Sequence, residues 1–279
     1  MSDLNRKIDF AIKLLQSIPQ DGPIELCYST GKDSDVILEL AKMSGIPFVP
    51  IYKNTTCDQP GSIEHARELG VEIRQPKKNM LKLIEENGWP SRWSRFCCKY
   101  LKEYKIYDRA ILGIRRFESA ARAKRYKEPE RCRVYNKDEK ARQYLPILEW
   151  TNNDVEQFID SHRIKCHPHY YDESGCFHVE RRVGCIGCPL ATGNGRLDYK
   201  KFPNVLKARI VAYNNWFLTH PNSKTVRTFP SVYHAIFMKL FCHDMGEYYQ
   251  YVDRGQLFDN EVVNPKEFLE SYFNIDLTI

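Results

Sequence analysis

The chain has 279 residues, enough for one large domain or a domain with a smaller appendage, and at 42% hydrophobic residues it can bury a sizeable core, which argues against disorder. A formal charge of +6 suits an anionic partner such as a nucleotide or nucleic acid, although many ordinary enzymes carry as much. The absence of any run of about 18 apolar residues argues against a transmembrane helix, and ten cysteines without a secretory signal argue against a disulfide framework, leaving metal ligands, reactive thiols or small buried hydrophobes.

The opening MSDLNRKIDFAIKLLQSIP mixes acids and bases among periodic apolar positions. It predicts an amphipathic helix, not a signal peptide, and a cytoplasmic protein with no membrane contact. Ile24 to Tyr28 (IELCY) is an apolar run of strand length, followed by the loop Ser29-Thr30-Gly31 and by the helical pattern DVILELAKMSG, which stops at Gly45. FVPIYKN is a second strand, HARELG a second helix ending at Gly70, VEIRQP a third strand, MLKLIEENG a helix and RAILGI a fourth strand. This alternation predicts an α/β fold, a parallel twisted sheet with helices on both faces. Ligands of such sheets bind beyond the carboxyl ends of the strands, where Ser29 and Arg115 are expected. Residues 115–142 are dense in Lys and Arg and poor in aliphatics, and read as a mobile, exposed excursion. Its interleaved tyrosines suit nucleic-acid stacking or a loop that orders over an active site, and neither reading prevails. LPILEWTNNDVEQFIDSH restores order, with Thr151 or Asn152 capping a helix. From Lys200 onward, VLKARIVAYNNWFLTH and SVYHAIFMKLF predict a helical C-terminal appendage.

A strand, a turn of Ser, Thr and Gly, and a helix N-terminus make an anion site, because backbone N–H groups and the helix dipole face outward there. Lys32 adds a full charge and Ser29, Thr30 and Ser34 add hydroxyls. The Walker spacing is absent. The stretch CYSTGKDSDV resembles the S-G-G-x-D-S pyrophosphate loop of the ATP pyrophosphatases, the adenine nucleotide alpha hydrolase-like superfamily, with Thr30 at the second glycine position. Other stretches resemble the phosphoadenosine phosphosulfate (PAPS) reductase family within it. They are GIRRFESAAR (113–122), PILEWTNNDV, HPHYYDESGC and RRVGCIGCP, together with KNTTCDQPGS, where Asn54 stands in place of the usual Asp. The resemblance covers roughly residues 20–195 in the family's order. It implies a division into a nucleotide-binding part, 1–198, and a helical region, 199–279.

By this resemblance, Ser29, Thr30, Gly31, Lys32, Asp33, Ser34, Asn54, Gly113, Ile114, Arg115, Glu118, Ser119 and Arg122 form the nucleotide site. Lys32, Asp33 and Arg115 are its catalytic members. Cys97 and Cys98 are adjacent, and Cys185 and Cys188 form C-x-x-C, so four soft thiolates are available for zinc or an iron–sulfur cluster. In the family, a Cys-Cys followed by a Lys, with a distant C-x-x-C, implies a [4Fe-4S] cluster with Lys102 as its neighbour. Cys166, His167, His169, Cys176 and His178 match no standard metal spacing and read as loop and core residues, and Cys27, Cys57, Cys132 and Cys242 as structural. The implied activity is cleavage of ATP, with Mg²⁺, to AMP and pyrophosphate. The adenylated acceptor is then open to sulfur from a donor protein, as in the DNA-phosphorothioation and tRNA-thiolation enzymes. Two alternatives stand beside it: a sulfonucleotide reductase, which needs a C-terminal E-C-G-L-H thiol where this chain has only Cys242, and a non-catalytic nucleotide- or nucleic-acid-binding subunit.

Overall fold

The computed structural model describes residues 3–252 and 262–278, and the chain divides into two compact units. The first comprises Met1–Pro76 and Tyr100–Gly184, the second Lys77–Lys99 and Cys185–Ile279. Their boundaries differ from an expected division at residue 198: the second unit begins its C-terminal part at Cys185 and also takes residues 77–99.

The first unit carries the strands β1 (Ile24–Tyr28), β2 (Val49–Lys53), β3 (Glu72–Arg74), β4 (Arg109–Leu112), β5 (Glu130–Val134) and β6 (Lys140–Tyr144). They form one sheet in the order β3-β2-β1-β4-β6-β5. All pairings are parallel except β5 with β6. Cys27 of β1 registers with Ile51 of β2 on one side and Leu112 of β4 on the other. Central β1 is apolar almost throughout because both of its faces are covered, as a parallel strand requires. Along the chain the helices are α1 (Asp3–Gln16), α2 (Lys32–Ser44), α3 (Ser62–Glu68), α4 (Met80–Asn87), α5 (Phe96–Leu101), α6 (Ala120–Arg125) and α7 (Asn152–Ser161). Leu15 of α1, Val36, Ile37 and Leu40 of α2, and Val155 and Phe158 of α7 close the core against Leu26 and Ile111 of the sheet. Each such side chain contributes about 1.5–3 kcal/mol on leaving water.

One expectation is corrected here. Residues 115–142 are not an irregular excursion: they hold α6, β5 and the start of β6, and β5 and β6 pair antiparallel at the sheet edge. The period-2 alternation of ERCRV and KARQY is carried by charged side chains, so it escapes a search for apolar residues. Their cations are used locally, with Arg131 4.9 Å from the Tyr126 ring centroid and Arg133 4.8 Å from that of Tyr135.

The second unit is helical. It contains α4, the first four residues of α5, and α8 (Arg196–Lys201), α9 (Pro203–Thr219), α10 (Lys224–Thr228), α11 (Val232–Phe241), α12 (Met245–Val252) and α13 (Pro265–Phe273). Edge-to-face rings join α11 to α13: Phe241 meets Phe268 and Tyr272 at 4.9 Å between centroids. Among the described residues no helix is long and apolar enough to cross a membrane.

Thr151 is the N-cap of α7. Its hydroxyl accepts from the Asp154 N–H at 3.2 Å, and the Asp154 carboxylate accepts from the Thr151 N–H and from Lys7, each at 2.7 Å. Thr151→Ala removes half of this box and should cost about 1 kcal/mol. Calorimetry should register a fall in Tm of about 2–4 °C.

Candidate active site

Strand β1 stands where the strand order reverses, since β2 and β3 continue to one side and β4 to the other. Loops leaving such a switch point diverge and open a crevice at the carboxyl edge of the sheet. Ser29-Thr30-Gly31, after β1, and Gly113-Ile114-Arg115, after β4, are those loops. Thr30 is buried in a left-handed conformation, φ 61°, and its hydroxyl donates to Ser62 Oγ at 3.3 Å. Gly31 is the N-cap of α2 and supplies no side chain to it, while the Lys32 N–H donates to the Tyr170 hydroxyl at 3.1 Å. Ser34 Oγ donates to the Gly31 carbonyl at 2.7 Å and lies 3.4 Å from Ser29 Oγ, which tightens the turn.

Charge is concentrated on this turn. Arg115, buried, donates from Nε to Asp33 Oδ1 at 2.6 Å and from Nη1 to Asn152 Oδ1 at 3.0 Å. The two loops touch so closely that a Cβ on Gly113 would sit 2.8 Å from the Asp33 carbonyl oxygen. Lys32 is also buried, its Nζ 3.6 Å from Asp33 Oδ2 and 5.4 Å from the Tyr170 ring centroid. Burial lowers its pKa, Asp33 opposes that, and the charges of Arg115 and Arg182 add to it. Arg122 is lowered likewise, first by burial and then by Arg182. Glu118 pairs with Arg122 and, at 3.3 Å, with Arg182. Four cations thus stand within electrostatic reach around two carboxylates, an excess that favours an anion. Arg182 is the member that sequence reasoning missed. Its only signal was the double Arg ahead of the C-x-x-C.

The remaining residues expected at the site have narrower geometric roles. Asn54 donates to Gln75 Oε1 and accepts from the Thr56 N–H, both at 2.8 Å, holding the turn after β2. Ser119 caps α6 by accepting from the Arg122 N–H at 3.2 Å. Gly113 and Ile114 lead from β4 to Arg115. A layer not foreseen lies beneath the loop. Asp35 accepts from the Tyr28 hydroxyl and pairs with His65 Nε2 at 3.1 Å, and Ser62 Oγ lies 3.5 Å from His167 Nε2. Burial, with His65 and His169 adding, pushes the His167 imidazole down to about 4, so it is neutral at pH 7. A cavity of about 350 Å³ in the same unit is lined instead by Arg6, Lys7, Phe10, Pro129, Pro146 and Trp150, among others, and includes none of these site residues.

All four expected metal cysteines belong to the second unit, Cys97 and Cys98 on α5 and Cys185 and Cys188 around a turn. The Cys97 thiol is pushed up by its hydrogen bond with Cys98, then by burial and by the charges of Cys98 and Cys185, so three of the thiols act on one another. Among the described residues, no three or more His, Cys, Asp or Glu side chains form a ready ligand group. The turn itself is tightly built. Gly187, φ 63°, donates from its N–H to Asp198 Oδ2 at 2.9 Å, and its carbonyl accepts from Arg209 Nη1 at 3.3 Å and Tyr199 Oη at 3.4 Å. Arg209 is buried and also donates to Tyr199 Oη at 2.6 Å. Four soft thiols in one unit are the kind of donor set that an iron–sulfur or zinc–thiolate group takes. Lys102 lies in the first unit, 3.7 Å from Asp58.

A parallel α/β sheet with an excess of cations at its switch point defines a protein built to take an anion at that edge. Comparison with known proteins is more specific. The model of the phosphoadenosine phosphosulfate reductase domain matches residues 23–191, and the chain belongs to that family. It is similar to a sulfate adenylyltransferase subunit 2 of Chromohalobacter salexigens, 28% identical over 52% of this chain and 59% of the relative. It is also similar to an uncharacterized 37.8 kDa protein of Escherichia phage 186, 33% identical over 42% of this chain and 37% of the relative. The chain therefore spans less than two thirds of the length of either relative. Among solved structures, phosphoadenylyl-sulfate reductase of Candida auris matches with TM-score 0.40 and 14% identity, covering 60% of this chain and 90% of that one.

Two outcomes follow from this geometry. On Gly187 a Cβ would stand 2.1 Å from Tyr199 Cζ, at a positive φ. Gly187→Ala should therefore destabilise the second unit by roughly 2–4 kcal/mol, read as an earlier denaturant midpoint. His167, depressed to about 4 in the fold against an ordinary 6.5, gives stability that is complete above pH 6.5 and lost as pH falls toward 4. His167→Gln should flatten the stability–pH curve in that window, by up to roughly 3 kcal/mol. An unchanged slope would remove His167 as its source.

Proposed function

We propose that this chain is an ATP-using enzyme of the PAPS reductase family that cleaves ATP to AMP and pyrophosphate and so adenylates an acceptor. The observation that carries the reading is the Ser29–Ser34 loop, with buried Lys32 at the N-terminus of α2 and Arg122 and Arg182 close enough to act on one another. In this reading the β- and γ-phosphates take the helix N-terminus, Lys32 and the hydroxyls of Ser29, Thr30 and Ser34. Arg115 has a positioning part, fixing Asp33 against β4. An acceptor oxygen bonds to the α-phosphorus as the α–β bridging bond breaks, pyrophosphate leaves with the bond pair, and the acceptor's proton goes to solvent. AMP is then released with its own bond pair when the donor's sulfur, or water in its absence, attacks the adenylated acceptor. Lys32 and Arg122 face the charge that grows on the leaving group, so the work is positioning and charge stabilisation. Mg²⁺, held by the phosphates and by Asp33, would neutralise part of that charge.

The same reading gives Cys97, Cys98, Cys185 and Cys188 to a [4Fe-4S] cluster. Its chemistry would be to handle sulfur or electrons for the adenylated acceptor, with a sulfur-donor protein as partner. A reducing compartment, the cytoplasm, suits ten cysteines that are all free thiols. The sulfonucleotide reductase reading needs a C-terminal thiolate nucleophile. Burial pushes the Cys242 thiol up to about 12, with Glu247 and Asp244 adding, which keeps it protonated at neutral pH and disfavours that reading.

Anaerobic incubation with α-labelled ATP and Mg²⁺ should yield AMP and pyrophosphate, and Lys32→Ala should reduce the yield by roughly a hundredfold or more. Sulfite from PAPS, or intact nucleotide after prolonged incubation with acceptor, would overturn the assignment. Anaerobic preparation should carry about four iron and four sulfide per chain; one zinc without sulfide would replace the cluster with a zinc site.

A further inference from the structure

The second unit contains a cavity of about 550 Å³ that the adenylation chemistry does not use. Its walls include Trp89 to Trp93, Gly187 and Pro189 of the C-x-x-C turn, Arg196, and Met238 to His243. Two properties of this wall point to the same kind of occupant. The first is Trp93, whose side chain is 97% exposed. It makes no ring or cation–ring contact among the described residues, so a large flat apolar surface stands in water beside the cavity. By contrast Trp89, on the same wall, is buried against Tyr199 and Tyr213 at 6.1 and 5.7 Å between centroids.

The second is charge. Arg92, Arg196 and Lys239 line the cavity, and no Asp or Glu is among its described lining residues. The Arg92 side chain is held over the wall by a 3.1 Å bond from Nε to the Pro189 carbonyl, and Arg196 is held 5.2 Å from the Phe241 ring centroid. Burial lowers the Lys239 pKa, as it does for a cation drawn partly out of water. The local sequence has the same bias: Lys77, Lys78, Lys82, Arg92, Arg95 and Lys99 stand in residues 77–99 against Glu85 and Glu86.

An exposed aromatic platform bordered by fixed cations is the arrangement that holds bases by their faces and phosphates by charge. We propose that this cavity binds single-stranded nucleic acid, with one base stacked on Trp93 and adjoining phosphates on Arg92, Arg196 and Lys239. A free nucleotide is less well served, because a small-molecule pocket encloses most of its ligand, whereas Trp93 offers its ring at the open surface. A duplex does not fit, because its bases are already stacked and their faces are not offered. The β5–β6 edge is a weaker candidate, since its tyrosines are already covered by its own arginines. Gly187 and Pro189 are part of the wall, so a bound strand lies beside Cys185 and Cys188. If the adenylation and sulfur-transfer reading holds, that strand is the acceptor. The binding itself does not depend on that reading.

The test uses the full chain and a fluorescein-labelled oligothymidylate of about 15 residues, followed by fluorescence anisotropy without ATP. Saturable binding is expected, with log K falling linearly as log salt rises. Trp93→Ala should weaken it about tenfold or more, Trp93→Phe should recover most of the loss, and Arg196→Ala should reduce the salt slope by about one. Quenching of intrinsic tryptophan fluorescence by unlabelled strand should be smaller in Trp93→Ala, and thermal melting by circular dichroism checks that each variant is folded. No saturable binding, wild-type affinity in folded Trp93→Ala, equal affinity for the duplex, or displacement of the strand by AMP at a matched concentration would each overturn the assignment. The ATP-cleavage assay is run on the same preparations. Strand binding without ATP cleavage sinks the adenylation reading alone, and cleavage without strand binding sinks this site alone.

Discussion

Asp33 and Arg115 form the contact on which the first unit's crevice depends. One residue follows β1, the other follows β4, and their 2.6 Å ion pair joins the two loops that diverge at the switch point. A buried guanidinium is costly to desolvate, so such a pair is weak evidence for net stability. Its larger effect is on geometry. With Nε on Asp33 and Nη1 on Asn152, Arg115 fixes three stretches of chain at once. Gly113 permits this, because any side chain there would collide with the Asp33 carbonyl. The first turn of α2 is therefore held in place without a side chain from its own N-cap.

Once that turn is fixed, the surrounding charge acquires a direction. Lys32 is buried among Asp33, Tyr170 and two arginines, and its ammonium has lost much of its water. Arg122 is in a similar state. Positive charge that is poorly hydrated binds an anion more strongly than the same charge on an open surface, because little solvent must be displaced. The neutral layer beneath, His167 with Ser62 and Thr30, adds hydrogen bonds without adding to that charge. The second unit solves a similar problem by other means. A single carbonyl, that of Gly187, collects Arg209 and Tyr199, while its N–H is held by Asp198, so the C-x-x-C turn is supported from both sides of one peptide.

Much of this was legible in the residues. The apolar run of β1, the Ser-Thr-Gly-Lys turn and the periodic helix after it already describe a strand–loop–helix anion site, because each depends on local backbone preference. Gly45 and Gly70 stand where the sequence pattern ends a helix, both at positive φ. The edge hairpin was not legible. Its strands alternate, but Arg131 and Arg133 take the half-buried positions of β5 while Cys132 and Val134 are exposed. In β6 Lys140 and Arg142 are exposed, so the charge density resembles that of a mobile, exposed excursion. Tyr170, His167 and Arg182 were also hidden as members of the crevice, since nothing in their own neighbourhood points 140 or so residues back to the loop after β1.

By itself, then, the sequence determined the elements whose signal is local: the parallel α/β succession, the loop after β1, a helix start at Thr151 or Asn152 and the helical C-terminal region. Tertiary structure decided which distant groups meet. It brought Arg115 onto Asp33, set Arg182 within reach of Lys32, and gave residues 77–99 to the same unit as the C-x-x-C, gathering the two cysteine pairs that lie far apart along the chain. The physical reason is one of range. Propensity and periodicity act over a few residues, whereas burial of a charge is tolerable only if a partner arrives from elsewhere in the fold, and that partner is chosen by packing.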